Sequence, residues 1–316
     1  MVNPARWQVL AVLAIGVLVV STASILIRWA QAEGVPSLAI AAWRLTLAAL
    51  VLAPLLWVKA RGEITAMPRR HLLLALGSGV FLALHFASWI ASLEYTSVAS
   101  SVALVTTNPI WIALFSVLVL RERIPALRLA AVMLALAGSG VILWADAWAD
   151  GSAAGIASVS APQPALGNAL ALIGSLTVCG YLLIGRKLRA GMSLLAYIGL
   201  VYTCAALCLM AAALGSNTML WGYSTVAWAC LAGMALGPQL VGHSAFNYAL
   251  RHVTPTTIAL TVLGEPVGSA VLAWMLFDEA IGAVKLAGMA LLLGGIFLAA
   301  RSEGEPVRKA FDEVNT

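Results

Sequence analysis

Charge is what this chain has least of. Lysine, arginine, aspartate and glutamate make up 10% of its 316 residues, where a soluble globular chain spends about a quarter of its positions on them. Set beside a hydrophobic share of 62%, that scarcity excludes an ordinary water-soluble domain. Polar stretches are short, so no soluble module fits between the apolar runs. Cysteine is almost as rare. Cys179, Cys204, Cys208 and Cys230 all fall inside apolar runs and form no CxxC pair, so they read as packing thiols and not as metal ligands. Catalytic signatures are missing as well: there is no HExxH, no GxSxG and no facing pair of aspartates, which argues against an intramembrane enzyme. No cofactor is called for. The first apolar run is long, starts after Arg6 and lacks a small-residue cleavage site, so it reads as a retained span and not a leader.

What the chain has in quantity is apolar sequence about 20 residues at a time, the length that crosses roughly 30 Å of hydrocarbon as a helix. Ten such runs are expected, near 7–30, 37–58, 71–93, 97–120, 125–145, 166–185, 193–214, 223–250, 254–277 and 281–300. The expected fold is all-α and polytopic, because a helix satisfies its own backbone in lipid. Basic residues gather in alternate connections: Lys59, Arg61, Arg69 and Arg70, then Arg121, Arg123 and Arg128, then Arg186, Lys187 and Arg189, then Arg251, and Arg301, Arg308 and Lys309 in the tail. Glu33, Glu94, Asp146, Asp150, Asp278 and Glu279 fall on the other side, with Lys285 as its clearest basic residue. By the positive-inside rule both termini are cytoplasmic. The net charge of +5 is then a topological signal, and no nucleic-acid partner is needed to explain it.

A shift of 157 residues lays the second half of the chain on the first. Pro109 falls on Pro266, Glu122 on Glu279, Ile124 on Ile281, Ala130 on Ala287 and Gly138 on Gly295. Each half carries five runs, an odd number, so the second copy enters the membrane from the opposite face. An inverted repeat of this kind holds cargo near the midplane between its halves. The expected organisation is a first repeat at 1–145, an extracytoplasmic linker rich in Ala, Gly, Ser and Pro at 146–165, a second repeat at 166–301 and a disordered cytoplasmic tail at 302–316.

Stretches 85–143 and 243–299 resemble the two EamA repeats of the drug/metabolite transporter superfamily. The pieces that carry the resemblance are EYTSVAS opening the fourth span, the mid-span prolines Pro109 and Pro266, and the acids closing spans four and nine in RERI and DEAI. The resemblance covers nearly the whole chain. It implies ten helices around a central cavity and secondary transport of small metabolites, often amino-acid export; relatives also move choline, aromatic compounds and nucleotide sugars.

Ionisable groups inside the spans cost about 2.5–3.5 kcal/mol each on insertion scales and therefore need a reason. Glu265 is the only formal charge between Val253 and Phe277, and its repeat mate is Asn108. Pro109 and Pro266 follow them, each expected to bend its helix and leave a carbonyl, of Val105 and Val262, without a donor. His85, Ser88, Trp89 and Ser92 recur at helical spacing in span three, as do Gln239, His243 and Asn247 in span eight. Tyr181 stands at the position repeating Ser24. Arg44 lies eight residues into span two, about 12 Å deep at 1.5 Å per residue, whereas Arg28 is placed to snorkel or to pair with Glu33. Arg44, His85, Trp89, Asn108, Tyr181, Gln239, His243, Asn247 and Glu265 are the candidate substrate-binding residues, and Glu265 is also the candidate proton carrier. For each, helix packing is the competing role. Trp111 and Trp274 fit lipid or core equally. The expected partners are a small-molecule substrate and the lipid bilayer, with monomer and homodimer both open. Organic cations such as choline are the alternative cargo, favoured if the aromatic face dominates over Arg44.

Overall fold

A computed structural model describes residues 4–95, 101, 104–118, 125–152, 163–265, 267–268, 271–272, 275 and 282–302. Among them there is no strand. The helices are α1 (Arg6–Val20), α2 (Ala23–Ala32), α3 (Ser37–Leu55), α4 (Arg61–Thr65), α5 (Arg69–Tyr95), α6 (Asn108–Leu118), α7 (Ala126–Ser152), α8 (Pro164–Arg189), α9 (Leu194–Gly215), α10 (Thr225–Met234), α11 (Ser244–Ala249), α12 (Pro255–Val262) and α13 (Ala283–Ser302). Two π-helical segments interrupt this order. Leu56–Ala60 joins α3 to α4, and Ala235–His243 joins α10 to α11.

Six of the ten apolar runs are helices long and apolar enough to cross a membrane: Trp7–Ala32, Ser37–Thr65, Arg69–Tyr95, Ala165–Arg189, Leu194–Gly215 and Thr225–Ala249. The remaining four runs hold α6, α7, α12 and α13. Helix α7 continues through Asp146 and Asp150 to Ser152, and α8 opens at Pro164, where a proline at the first position gives up an N–H that had no partner anyway. Residues 153–162 and the tail from 303 lie outside the described residues, as do Glu122, Glu279 and most of EYTSVAS, RERI and DEAI.

Helix starts follow from local chemistry. Ser193, Ser224 and Thr254 each accept a hydrogen bond from the main-chain N–H three residues on, capping α9, α10 and α12, which meets one of the donors every helix start leaves free. At the other end of α8, Arg186, Lys187 and Arg189 fill the last turn, where positive charge complements the helix dipole.

The packing pairs are those a two-fold relation between the halves requires. Helix α3 packs on α9, α7 on α13 and α6 on α12, so spans two, four and five each meet their own repeat mate. The pair α5 with α8 is mirrored by the second π-segment with α1. Most of the core forms one cluster around α3, α5, α8 and α9, while α7, α12 and α13 share a smaller one built on Ala131, Ala135, Leu260, Leu263, Met289 and Leu292.

Spans four and nine are interrupted, and at repeat-related places. Thr106–Thr107 and Leu263–Gly264 are turns, 157 residues apart. Ile110 N–H donates to Thr107 and Gly268 N–H to Gly264, so each span resumes immediately beyond its turn. Pro109 sits at the second position of a new helix, α6, where its missing N–H costs nothing. Pro266 lies outside the described residues.

Candidate functional site

Residues at and beside the two interruptions, Val105, Thr106 and Asn108 in one span and Val262 and Glu265 in the other, line one cavity of about 50 Å³. Its wall takes Val20 from α1, Arg44 from α3, His85 and Trp89 from α5, and Val105, Thr106 and Asn108 from span four. The second half contributes Tyr181, His243, Phe246 and Glu265 with apolar neighbours. Seven of the nine candidate binding residues therefore meet. Gln239 and Asn247 stand one layer back, both fully buried.

Arg44 is the most demanding residue in the wall, because it is 0% exposed and an unpaired buried charge is costly. Its Cζ lies 4.2 Å from the centre of the Phe86 ring, a favourable face for a cation. Its Nε donates to Gln239 Oε1 at 2.9 Å. The other two guanidinium nitrogens, Nη1 and Nη2, are buried without a hydrogen-bond partner. Glu265 is half-buried on the same wall, its main-chain oxygen accepting from Ser21 Oγ at 3.3 Å.

The two histidines are held differently. His85 Nδ1 lies 2.9 Å from the Gly174 carbonyl oxygen; a carbonyl only accepts, so the proton sits on Nδ1 and leaves Nε2 as an acceptor. Its ring stacks on Trp89 with centroids 5.9 Å apart. His243 packs edge-on against Phe86 at 5.2 Å, and its Nδ1 has no partner. Trp89 Nε1, Tyr181 Oη and Asn108 Oδ1 are likewise buried and unpaired. Most buried polar atoms in native proteins are paired, so this concentration around one cavity makes it the candidate binding site.

Other residues singled out in the sequence lie off the cavity wall. Ser88 Oγ donates to Leu84 O at 2.6 Å and Ser92 Oγ to Trp89 O at 2.6 Å, back onto their own helix. Trp111 Nε1 donates to the Thr107 hydroxyl at 3.1 Å, and Trp274 lies outside the described residues. Arg28 is exposed, while Glu33 accepts from Ser224 Oγ at 2.5 Å.

Beneath the cavity lies a polar layer in which Gln239 and Asn247, marked by their spacing, join Ser78, Tyr197 and Tyr202, which no spacing marked. Asn247 Nδ2 donates to the Tyr202 hydroxyl at 3.3 Å and to His243 O at 2.9 Å. Tyr202 also reaches Gln239 O and Ser244 Oγ. Ser78 and Tyr197 share a 2.7 Å bond, and Arg189 Nε donates to Asn247 O at 3.0 Å. Arg186 reaches Leu250 O at 2.7 Å. These bonds tie α5, α8, α9 and α11 together at the basic ends of the helices.

The EamA-like transporter family matches residues 7–144 and again 165–301. The chain belongs to that family. It is accordingly a multi-pass membrane protein of a transporter family, and not one of an enzyme family. A solved crystal structure, titled only as that of a protein, shares the fold with a TM-score of 0.74 at 18% identity, covering 95% of this EamA chain and 98% of its own. No curated relative matches. Both family matches contain one of the two interrupted spans, so each EamA copy supplies one half of the cavity's broken rim.

Proposed function

We propose that this chain is a secondary transporter of the cytoplasmic (inner) membrane that moves small polar metabolites by alternating access, with export of amino acids or related compounds its foremost activity. Its frame is ten spans in two inverted five-span repeats, 1–145 and 166–301, with both termini cytoplasmic. The observation that carries the reading is the pair of repeat-related interruptions, Thr106–Thr107 and Leu263–Gly264, on one cavity lined from both halves. Broken helices meeting at mid-membrane are how carriers bind cargo between two rocking units.

On this topology the polar layer of Ser78, Tyr197, Arg189 and Asn247 stands between the cavity and the cytoplasm, supported by α6 packed on α12. A carrier must part these contacts to load from inside, whereas a channel would leave a continuous path. Glu265 is the proposed proton carrier, supported by its being the only carboxylate among the cavity residues. The aromatic wall of Trp89, Tyr181 and Phe246 supports a second reading, a carrier of choline-like or other organic cations.

Reconstituted protein tests both. Proteoliposomes preloaded with unlabelled amino acid are expected to show accelerated, saturable uptake of the labelled compound, and preloaded choline is expected to give none. Absence of counterflow for every amino acid and amine tried would refute the carrier.

A further inference from the structure

The donors and acceptors around the cavity are unevenly distributed, and the imbalance specifies one chemical group. The unpaired groups that only donate are the two Nη groups of Arg44 and Trp89 Nε1; those that only accept are Asn108 Oδ1 and the carboxylate of Glu265 on the same wall, while the unpaired Tyr181 Oη and His243 Nδ1 can serve either way. An arginine can only donate. Its side edge is already taken by Gln239 Oε1 at 2.9 Å and Phe86 supports its plane at 4.2 Å. What remains is the end-on fork of Nη1 and Nη2, whose spacing matches the two oxygens of a carboxylate.

We infer that the cavity is a carboxylate subsite for a compact α-amino acid, with the Arg44 fork as its grip and Gln239 and Phe86 as positioning residues that hold the fork in place. This rests on the carrier reading for its biological use and narrows its cargo. An ammonium group, which only donates, has Glu265 and Asn108 Oδ1 to meet it. A choline-like cation offers the fork no carboxylate and leaves a buried charge unpaired. At about 50 Å³ the cavity has room for a few waters, well below the ~300 Å³ at which ordinary ligand pockets begin. Cargo is therefore small and parts the walls as it enters.

The position of Gln239 depends on the π-segment Ala235–His243, which contains Pro238. Its main-chain oxygen accepts from Tyr202, so the residue is held from both ends. A π-turn inside a long helix is a frequent mark of a functional position, and here it carries the residue that orients the one buried cation of the cavity.

The test compares L-alanine, L-alaninamide and choline on the purified full chain by thermal shift and tryptophan fluorescence. Wild type is expected to bind the acid at least tenfold more tightly than the amide and to ignore choline. Arg44→Lys is expected to abolish the acid preference, since an ammonium cannot reproduce the fork. Gln239→Met keeps the volume and removes the acceptor; it is expected to raise the half-saturation for the acid about tenfold without changing that for the amide, a selectivity that loosened packing would not produce. Equal binding of acid and amide by wild type, or stabilisation by none of the three, overturns the subsite. Preference for the acid without counterflow of any solute upholds the subsite and overturns the carrier.

Discussion

Helices α7 and α13 cross through a pair of repeat-related glycines, and replacing one of them tests the packing directly. A Cβ on Gly138 would stand 2.4 Å from Leu292 N, 2.7 Å from Gly288 O and 2.8 Å from Leu292 Cα. All three are main-chain atoms, so no side chain can rotate out of the way. Restoring an ordinary contact of 3.4 Å requires the helices to separate by about 1 Å, which loosens Leu292 and Met289 against Ala131 and Ala135. Overpacking of this kind costs about 1–3 kcal/mol, while alanine in place of glycine returns up to about 1 kcal/mol of helix propensity. Gly138→Ala should therefore destabilise by about 1–2 kcal/mol. Gly140 is two residues along the same helix and exposed, with nothing within 4 Å of where a methyl would stand; Gly140→Ala should stabilise by about 0.5–1 kcal/mol. Gly295→Ala, which meets Ala135 N at 2.6 Å, should behave like Gly138→Ala, and the double variant should cost less than the sum because the first change already parts the helices. Thermal unfolding of the purified variants in one detergent reads all four. A Gly138→Ala protein that melts higher than wild type, as Gly140→Ala should, would refute the close crossing.

Three further perturbations follow from other parts of the structure. Trp43 Nε1 donates to Leu220 O at 2.9 Å within a buried pocket, and its ring meets Trp221 and Trp228 edge-on at 4.7 and 5.0 Å; Trp43→Phe should cost about 1–3 kcal/mol by leaving that carbonyl unpaired and speed amide exchange across 216–223, with unchanged exchange counting against the role. Glu265→Gln should remove the pH dependence of reconstituted transport while retaining exchange, and a variant with the wild-type pH profile would show that the proton travels elsewhere. Burial, and then Arg251, Arg189 and Arg186, hold the His252 imidazole below its ordinary value of 6.5, so the unfolded chain takes up the proton first as pH falls. The stability this group leaves intact above pH 6.5 is lost below it, and His252→Gln should flatten the acid side of a melting-temperature profile between pH 7 and 5.

Much of this molecule was legible because a bilayer punishes charge. The apolar runs had to be long, and Glu265 and Arg44 stood out because few residues of their kind occur inside them. The surroundings of Arg44 were not legible. Its contact with Gln239 joins positions 195 residues apart, and Phe86 looked like one more apolar residue between His85 and Trp89. Tyr202 sits in a run with almost no amphipathic signal, although it links Gln239, Ser244 and Asn247. A spacing of three and four residues presupposes an α-helix, so it could not show that Gln239 and His243 ride on a π-segment; Pro238 directly after Gly237 was the only sign. Pro109 did mark a disturbance, and the turn at Thr106–Thr107 lies just ahead of it.

A symmetric frame and an asymmetric lining serve different ends here. The repeat-related turns in spans four and nine, and the glycines of α7 and α13, occur twice, as the proposed rocking mechanism would require of equivalent joints on both sides of the membrane. The charges are needed once. Arg44 has Val201 as its repeat mate, and Glu265 has Asn108. The polar residues Gln239, His243 and Asn247 match Leu82, Phe86 and Ile90 in the regular helix α5, all three buried. Had the repeat been kept exactly, two arginines would face one cavity in a medium where like charges repel strongly, and no acid would offset them. One arginine from the first half and one carboxylate from the second instead line the same cavity with opposite charge, and a zwitterion of the proposed kind would add no net charge to it. The departure from symmetry on the cavity wall thus avoids a pair of like charges in one buried space.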